Sequence, residues 1–454
     1  MSTHFVITRE IVVAEGVFAP GHLGELTQQV PFEMVDAVLA DTGRVQSRVR
    51  DLPSRVVVYL LLAASLFPEV GYTGVWRKLT AGLTGLTTAA APTAGALAQA
   101  RRRVGTAPLR ALFELLRGPG ADTHSPGVRW HGLLVVAIDG TILSCADSPA
   151  NLTGFRKQGG NHGGSGYPLI RLLALVACGT RTVIDAVFGP TASGETTYAH
   201  QLTRSMHQQM IVLADRNFAA QNLIAAIAGT GADVMVRLKN GRHMPVLHRY
   251  PDGSYLSRLG TTNVRVIDCA ITATTNTGTH TGIYRLATTL TSHSLYPATE
   301  LTTLYHQRWE VETAYLEIKS TMIGGRVLRA RTPEGVIQEI YALLVTYQAL
   351  RTAMSDATGT QPRTDPDRAS FTIALQAARD QVIQAGNIIA DTVIDLVGTI
   401  GRHVLEHLMP RRRTRTNPRV VKRAISKYVA KGTHVRAPSS TVTISVVILN
   451  PSDA

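Results

Sequence analysis

GLLVVAID (132–139) and MIVLAD (210–215) are two short apolar runs, each ending on an aspartate. Continuous Leu/Val/Ile segments of this length are characteristic of strands buried on both faces of a sheet. Between them lie two more strand-like runs, LIRLLALVAC (169–178) and TRTVIDAVF (180–188), and a helix-like segment, GETTYAHQLTRSMHQQ (194–209). Beyond the second aspartate come a helical stretch, FAAQNLIAAIA (218–228), and a fifth strand, ADVMVRL (232–238). Three strands in succession, then strands alternating with helices, predict a mixed α/β sheet.

Around this block the texture changes. Residues 1–118 read as a helical N-terminal domain. In it, LPSRVVVYLLLAASLFPEVGYTGVWRKL (52–79) is followed by a Gly/Thr/Ala connector and PTAGALAQARRRVGTAPLRALFELLRG (92–118). Pro at helix starts and a turn at Gly105 punctuate the last stretch. The adjacent Arg101, Arg102 and Arg103 fit either a DNA-reading helix-turn-helix or a bundle with a solvated basic cluster. RGPGADTHSPG (117–127) is a linker. The sheet block occupies 128–239, a Thr-rich, β-rich insertion 240–297, and the second part of the same core 298–354, with a long helix from Pro333. After a second linker, SDATGTQPRTDPD (355–367), residues 368–454 read as a helical and basic C-terminal region for DNA binding or dimerisation.

The chain has 454 residues and a formal net charge of +14, so an acidic partner is expected, nucleic acid before a membrane surface. The longest apolar run, VVVYLLLAASLF (56–67), is too short to span a bilayer, which takes about 20 residues. Neither a signal-like start nor a disulfide or zinc spacing among Cys145, Cys178 and Cys269 is present. Together these predict a cytoplasmic protein without a membrane partner.

Asp139 and Asp215 become informative as a pair. If their strands are parallel neighbours, both carboxylates open into one crevice at the strand ends. Two carboxylates so placed raise each other's pKa unless a divalent cation lies between them. Oxygen ligation without Cys or His selects Mg2+ or Mn2+. Asp185 and Asp268, inside strand-like runs, Asp147 in a loop, and Glu195 at a helix start are weaker candidates.

The third group comes from YHQRWEVETAYLEIKS (305–320). On an ideal α-helix, Arg308, Glu312 and Lys319 fall at roughly 300°, 340° and 320° from Tyr305, one narrow stripe. Leu304, Val311, Tyr315, Ile318 and Met322 form the adjoining apolar stripe, and Glu310, Thr313 and Glu317 fall on the far, solvent-facing side. The four residues therefore lie at the core boundary. There Glu312 can complete a three-carboxylate site, while Arg308 and Lys319 can grip phosphate oxygens and Tyr305 can add a hydroxyl. Acid for metal and base for phosphate on one helix is an arrangement for phosphoryl transfer.

Tyr305, Arg308, Glu312 and Lys319 match the Y-(2)-R-(3)-E-(6)-K signature of the insertion-sequence-four family of DDE transposases, which the chain resembles. AIDGT around Asp139, SGETTYAHQL leading to VLADRNF, and LPSRVVVYLLLAASLFPEVGYTGVW are similar to the same family. The likeness runs over roughly residues 20 to 350. It implies a ribonuclease H-like fold, with the β-rich insertion before the last catalytic helix and helical N-terminal and basic C-terminal regions flanking it. It also implies Asp139, Asp215 and Glu312 as metal-binding catalytic residues and Tyr305, Arg308 and Lys319 as DNA contacts. Arg216 is expected to assist, and Trp309, beside Arg308, is expected either to stack on a displaced base or to pack, since its angle of about 40° fits both. The implied activity is cleavage and joining of double-stranded DNA at terminal inverted repeats, by cut-and-paste through a hairpin, with a homodimer pairing the ends. The rival readings are a catalytically silent DNA-binding derivative and a ribonuclease H-like nuclease.

Overall fold

The computed structural model describes residues 23–46, 52–81, 91–121, 125–157, 166–239, 241–275, 278–361, 363–384, 397–410, 415–416, 440–441 and 443–449. The chain divides into two compact units. One comprises 1–126, 144–154 and 315–409, the other 127–143, 155–314 and 410–454.

The first unit is helical. Its central helix, Ser54–Leu66, is buried from Val56 to Leu66, because almost every side chain in SRVVVYLLLAASL is apolar. A helix with no polar face must be enclosed on all sides, and Phe32–Asp41, Tyr72–Leu79, Ala94–Val104 and the long Pro333–Gly359 pack around it. The long helix starts with Pro333 at its first position and Thr332 accepting from the Gly335 N–H, which satisfies one of the donors left open at a helix start. Arg101 lies 3.7 Å over the Tyr72 ring, so one member of the arginine cluster is committed to packing, while Arg102 and Arg103 remain exposed. No described helix is long and apolar enough to cross a membrane.

The second unit is built on an extended sheet. Its strands are β1 Arg129–Trp130, β2 Leu133–Ser144, β3 Leu169–Ala177, β4 Val183–Pro190, β5 Met210–Ala214, β6 Asp233–Leu238, β7 His248–Arg249, β8 Tyr255–Leu259, β9 Thr262–Thr275 and β10 Gly278–Thr288. They run in the order β4-β3-β2-β5-β6-β10-β9-β8-β7, with β1 on β2. β3 and β4 are antiparallel, whereas β2, β5 and β6 are parallel. The sheet is therefore mixed, as the strand and helix pattern predicts. β2 and β5 are consecutive in space with Ile138 opposite Ala214, and both are buried over their apolar runs.

The β-rich stretch does not stand apart from this sheet. β10 pairs antiparallel with β6, Arg285 opposite Leu238. The C-terminal region needs correction, because it is not only helical and basic. Phe371–Gln384 and Gly398–Glu406 are helices of the first unit, but Thr443–Ile448 is a strand paired with β9. TISVVI alternates on a period of two and is rich in β-branched residues, and β8 leaves most of that edge of β9 open. The basic segment 417–439 lies outside the described residues.

Candidate active site

Parallel pairing sets Asp139 and Asp215 each one residue past the Ile138–Ala214 pair; Asp215 follows the end of β5, whereas Asp139 lies inside β2, which runs on to Ser144. Asp139 accepts from the Gly140 N–H at 2.8 Å, and Asp215 accepts from the Arg216 N–H at 2.6 Å and caps the short turn Arg216–Phe218. Both carboxylates are thus oriented by their own backbone.

The third candidate acid comes from the segment after Pro297, which is not one uniform helix. It is α-helical over Ala298–Tyr305, tightens at His306–Arg308, is α-helical again over Trp309–Leu316 and widens to a π-helix over Glu317–Met322. Local tightening and widening of this kind cluster at functional sites. Glu312 is exposed to 43 % and accepts from Arg308 Nη1 and Nη2 at 3.3 Å. The same guanidinium lies 3.8 Å from Asp139. Arg308 itself is nearly buried. Burial opposes its charge, but Tyr305, Glu312, Asp139 and Asp215 outweigh that and hold its pKa above the ordinary value. Arg308 is the hub on which two of the candidate carboxylates converge, and it is coupled electrostatically to the third.

Burial raises the Asp139 pKa to about 6, against the Gly140 hydrogen bond and Arg308, which favour the anion; Glu312 and Glu195 add repulsion. Among the described residues, no three acidic, histidine or cysteine side chains yet surround one point closely enough to hold a metal. The donor set still fits a hard divalent cation, since it is all oxygen and two of its members converge on Arg308.

The remaining expected residues are distributed differently. Tyr305 is buried, and its hydroxyl donates to the Ala214 carbonyl at 3.0 Å, the residue before Asp215. Trp309 is 50 % exposed, with the Arg308 guanidinium 4.5 Å over its ring. Arg216 is exposed and lines a cleft with Lys239 and Arg242. Lys319 lies in the π-helical segment of the other unit, half-buried.

Two acids expected on the solvent side are not there. Glu310 accepts from Arg181 Nε at 2.6 Å, with Arg181 fully buried in the turn after β3. Glu317 is buried and paired with Arg351 and the Tyr347 hydroxyl. The ideal wheel misplaces Glu317 because the π-helical widening falls at that residue, and it overlooks Glu310 because the wheel cannot see a partner 129 residues away in sequence. Glu195 is the acid whose surroundings sequence reasoning underrated. It acts on Asp139, and the one local signal was the glycine after Asp139.

The chain matches the family model for the insertion element 4 transposase N-terminal region over residues 20–114 and that for the transposase DDE domain over 130–348. It is 27 % identical over 407 residues to transposase InsG for insertion sequence element IS4 of Escherichia coli K12, covering 87 % of this chain and 91 % of that protein. It is also 28 % identical over 215 residues to InsZ of the same organism, covering 45 % of this chain and 68 % of that protein. The two models between them take in the buried N-terminal helices, both aspartate-bearing strands and the helix of Glu312, and the chain belongs to the insertion-sequence-four family of DDE transposases.

Proposed function

We propose that the protein cuts and joins double-stranded DNA at the terminal inverted repeats of its own insertion sequence, using Asp139, Asp215 and Glu312 as carboxylate ligands of divalent cations, Mg2+ or Mn2+. The observation that carries this reading is the convergence of Asp139 and Glu312 on Arg308, beside the strand end that bears Asp215. Bound divalent cations supply Lewis acidity at the scissile phosphate and a nucleophile at neutral pH.

The chain's own groups supply the rest. Arg308 offers a fork suited to a phosphate oxygen, and Glu312 and Asp139, which it now contacts, are the residues that would hold a cation. Tyr305 fixes the strand end of Asp215, and Trp309 presents an open ring face on which an unstacked base can lie. Arg216 and Lys319 add positive charge for the DNA backbone. Excision follows a cut-and-paste course with a hairpin at the freed end, and a homodimer holds the two ends together.

The test is incubation of the full chain with linear DNA bearing the element's inverted repeats and Mg2+. Cleavage at the repeat boundary, lost in Asp139→Asn, Asp215→Asn and Glu312→Gln while end binding persists, is the expected result. Metal-independent binding with no cleavage would instead identify a silent DNA-binding derivative, and equal cutting of DNA without repeats would identify a general nuclease.

A further inference from the structure

The helix Ala298–Tyr305 leads directly into Arg308, yet Pro297 at its cap position supplies no side-chain hydrogen bond to the first turn. Glu300, the acid of that turn, pairs instead with His131 Nε2 at 2.9 Å. The helix start is served from elsewhere in the chain. Asp252, in the turn between β7 and β8, accepts from the Ala298 N–H through Oδ2 at 3.1 Å. An acid at this place satisfies a donor that the helix leaves open and suits the helix dipole.

The same carboxylate is held by Arg265 of β9, which is fully buried. All three nitrogens of that guanidinium are engaged. Nη2 donates to Asp252 Oδ2, Nε to Ser254 Oγ at 2.7 Å, and Nη1 to the carbonyl of Tyr296, just before the helix. Ser254 donates to Asp252 Oδ1 through its hydroxyl at 2.6 Å and its N–H at 3.2 Å. Burial opposes the Asp252 anion, but Ser254, Arg265 and the Ala298 N–H outweigh it and keep its pKa below the ordinary carboxylate value.

A buried ion pair adds little that a well-packed apolar pair would not, if stability is all that is asked of it. What it adds here is direction, because Asp252 and Arg265 both aim at the entry to one helix. That helix is fixed again at its far end, where the Tyr305 hydroxyl donates to the Ala214 carbonyl. Arg308 lies about 15 Å beyond Ala298 at the helical rise of about 1.5 Å per residue. With both ends of Ala298–Tyr305 held, the segment cannot slide or turn without breaking one of these bonds. A displacement of about 1 Å at a reacting centre can cost about 10²-fold in rate.

We infer that Asp252 is a positioning residue for strand cleavage: from the β-rich insertion it clamps the start of the catalytic helix, with Arg265 holding the clamp, and so sets where Arg308 and Glu312 stand against Asp139. This rests on the assignment of that helix to DNA cleavage. The insertion then serves the chemistry through a helix start and not only by extending the sheet.

The test is single-turnover cleavage of an inverted-repeat duplex by the full chain at saturating protein with Mg2+, beside end affinity measured without divalent cation. Asp252→Ala is expected to slow cleavage about 10- to 100-fold, the scale of a misplaced reacting group, with end affinity unchanged. Asp252→Asn, which keeps an acceptor for the Ala298 N–H, is expected to recover most of the rate. Asp185, gripped by Arg204 at 2.8 and 2.9 Å on the β4 edge of the sheet, provides the control. Asp185→Asn is expected to lower the melting temperature and leave the rate measured below it unchanged. A residue that only adds stability would not separate rate from affinity in this way.

A folded Asp252→Ala that cleaves at the wild-type rate overturns the positioning role and leaves the cleavage site standing. Equal loss of rate and end affinity, an Asp252→Asn as slow as Asp252→Ala, or an equal slowing in Asp185→Asn also overturns it. A wild-type protein that does not cleave overturns this inference and the proposed function together. If Asp252→Ala does not fold, Asp252→Glu, which keeps the charge and displaces it from the Ala298 N–H, takes its place. Slowed cleavage with unchanged end affinity then supports the clamp, and wild-type cleavage overturns it.

Discussion

The Tyr305 hydroxyl donates to the Ala214 carbonyl at 3.0 Å, tying the helix that leads to Arg308 to the strand end that carries Asp215. The ring is buried, and burial pushes its pKa well above the ordinary tyrosine value, so the hydroxyl stays protonated and remains a donor. Tyr305→Phe removes that donor and leaves the ring. The expected cost is about 0.5–1.5 kcal/mol of unfolding free energy, the net value of one hydrogen bond. If Tyr305 acts through Asp215 and not through DNA, cleavage falls several-fold with end affinity unchanged. A loss of end binding equal to the loss of cleavage would return Tyr305 to the role of a phosphate contact.

Arg308 is shared between Glu312 and Asp139 and cannot be replaced by a point charge without losing the fork. Arg308→Lys is expected to retain the fold and lose cleavage by about 10²-fold, on the scale of removing one electrostatic contact to a reacting centre. Single-turnover cleavage at saturating protein separates this from weakened binding. Wild-type turnover in Arg308→Lys would show that charge alone suffices.

The two aspartate-bearing strands were legible because continuous apolar runs leave few alternatives in an α/β chain, but β2 runs on past Asp139 to Ser144, so only Asp215 lies at a strand end. The helix of Glu312 was legible from its spacing, but its irregularities were not. Whether residues 306–308 tighten and 317–322 widen depends on tertiary partners such as Arg181 for Glu310 and Arg351 for Glu317, which no local pattern encodes. The strand Thr443–Ile448 is rich in β-branched residues, but the basic run before it makes charge the dominant local signal. Glu195 looked like an ordinary helix start because its proximity to Gly140 depends on how β2 and the helix meet in space.

The raised pKa of Asp139 makes a signed prediction for the metal-free protein. Its folded value, about 6, lies above the unfolded carboxylate value of about 3.9, so the group favours folding below the lower value. That contribution is lost as pH rises through about 6. At pH 7.5 without divalent cation, Asp139→Asn is therefore expected to be more stable than wild type by about 1–3 kcal/mol, with the difference vanishing near pH 4. Mg2+ should reverse the order, raising the wild-type melting temperature and not that of Asp139→Asn. Denaturant melts across pH 4–8, with chelator and with Mg2+, measure both effects. An Asp139→Asn stability gain that is independent of pH would mean that the carboxylate's environment is not the cause.

Trp309 is half exposed beside a buried arginine, an unusual place for the largest apolar side chain. Stacking on a base is worth about 1–3 kcal/mol, so Trp309→Ala is expected to weaken complexes with a frayed or cleaved end by about 5- to 100-fold. Fully paired DNA, with no base to offer, should bind as before. Tryptophan emission should be quenched by the frayed end in wild type and much less in Trp309→Phe. Equal affinity of wild type and Trp309→Ala for both DNAs would assign the ring to packing against Arg308.

Glu317 and Arg351 form a buried ion pair at the start of the π-helical segment that carries Lys319, with the Tyr347 hydroxyl donating to Glu317 Oε2 at 2.9 Å. Burial pushes the Tyr347 pKa up, with Glu317 adding to the effect, so the phenol stays a donor. Removing one charge from such a pair strands the other in an apolar interior, at a cost of about 3–5 kcal/mol. Glu317→Gln is expected to destabilise the protein by that amount. Replacing Glu317 and Arg351 together by Gln and Met should cost much less, because no uncompensated charge remains. If the pair exists to hold the π-helical turn, the double variant recovers stability without recovering cleavage, since Lys319 has lost its support. A double variant that regains both would show that the pair serves packing alone.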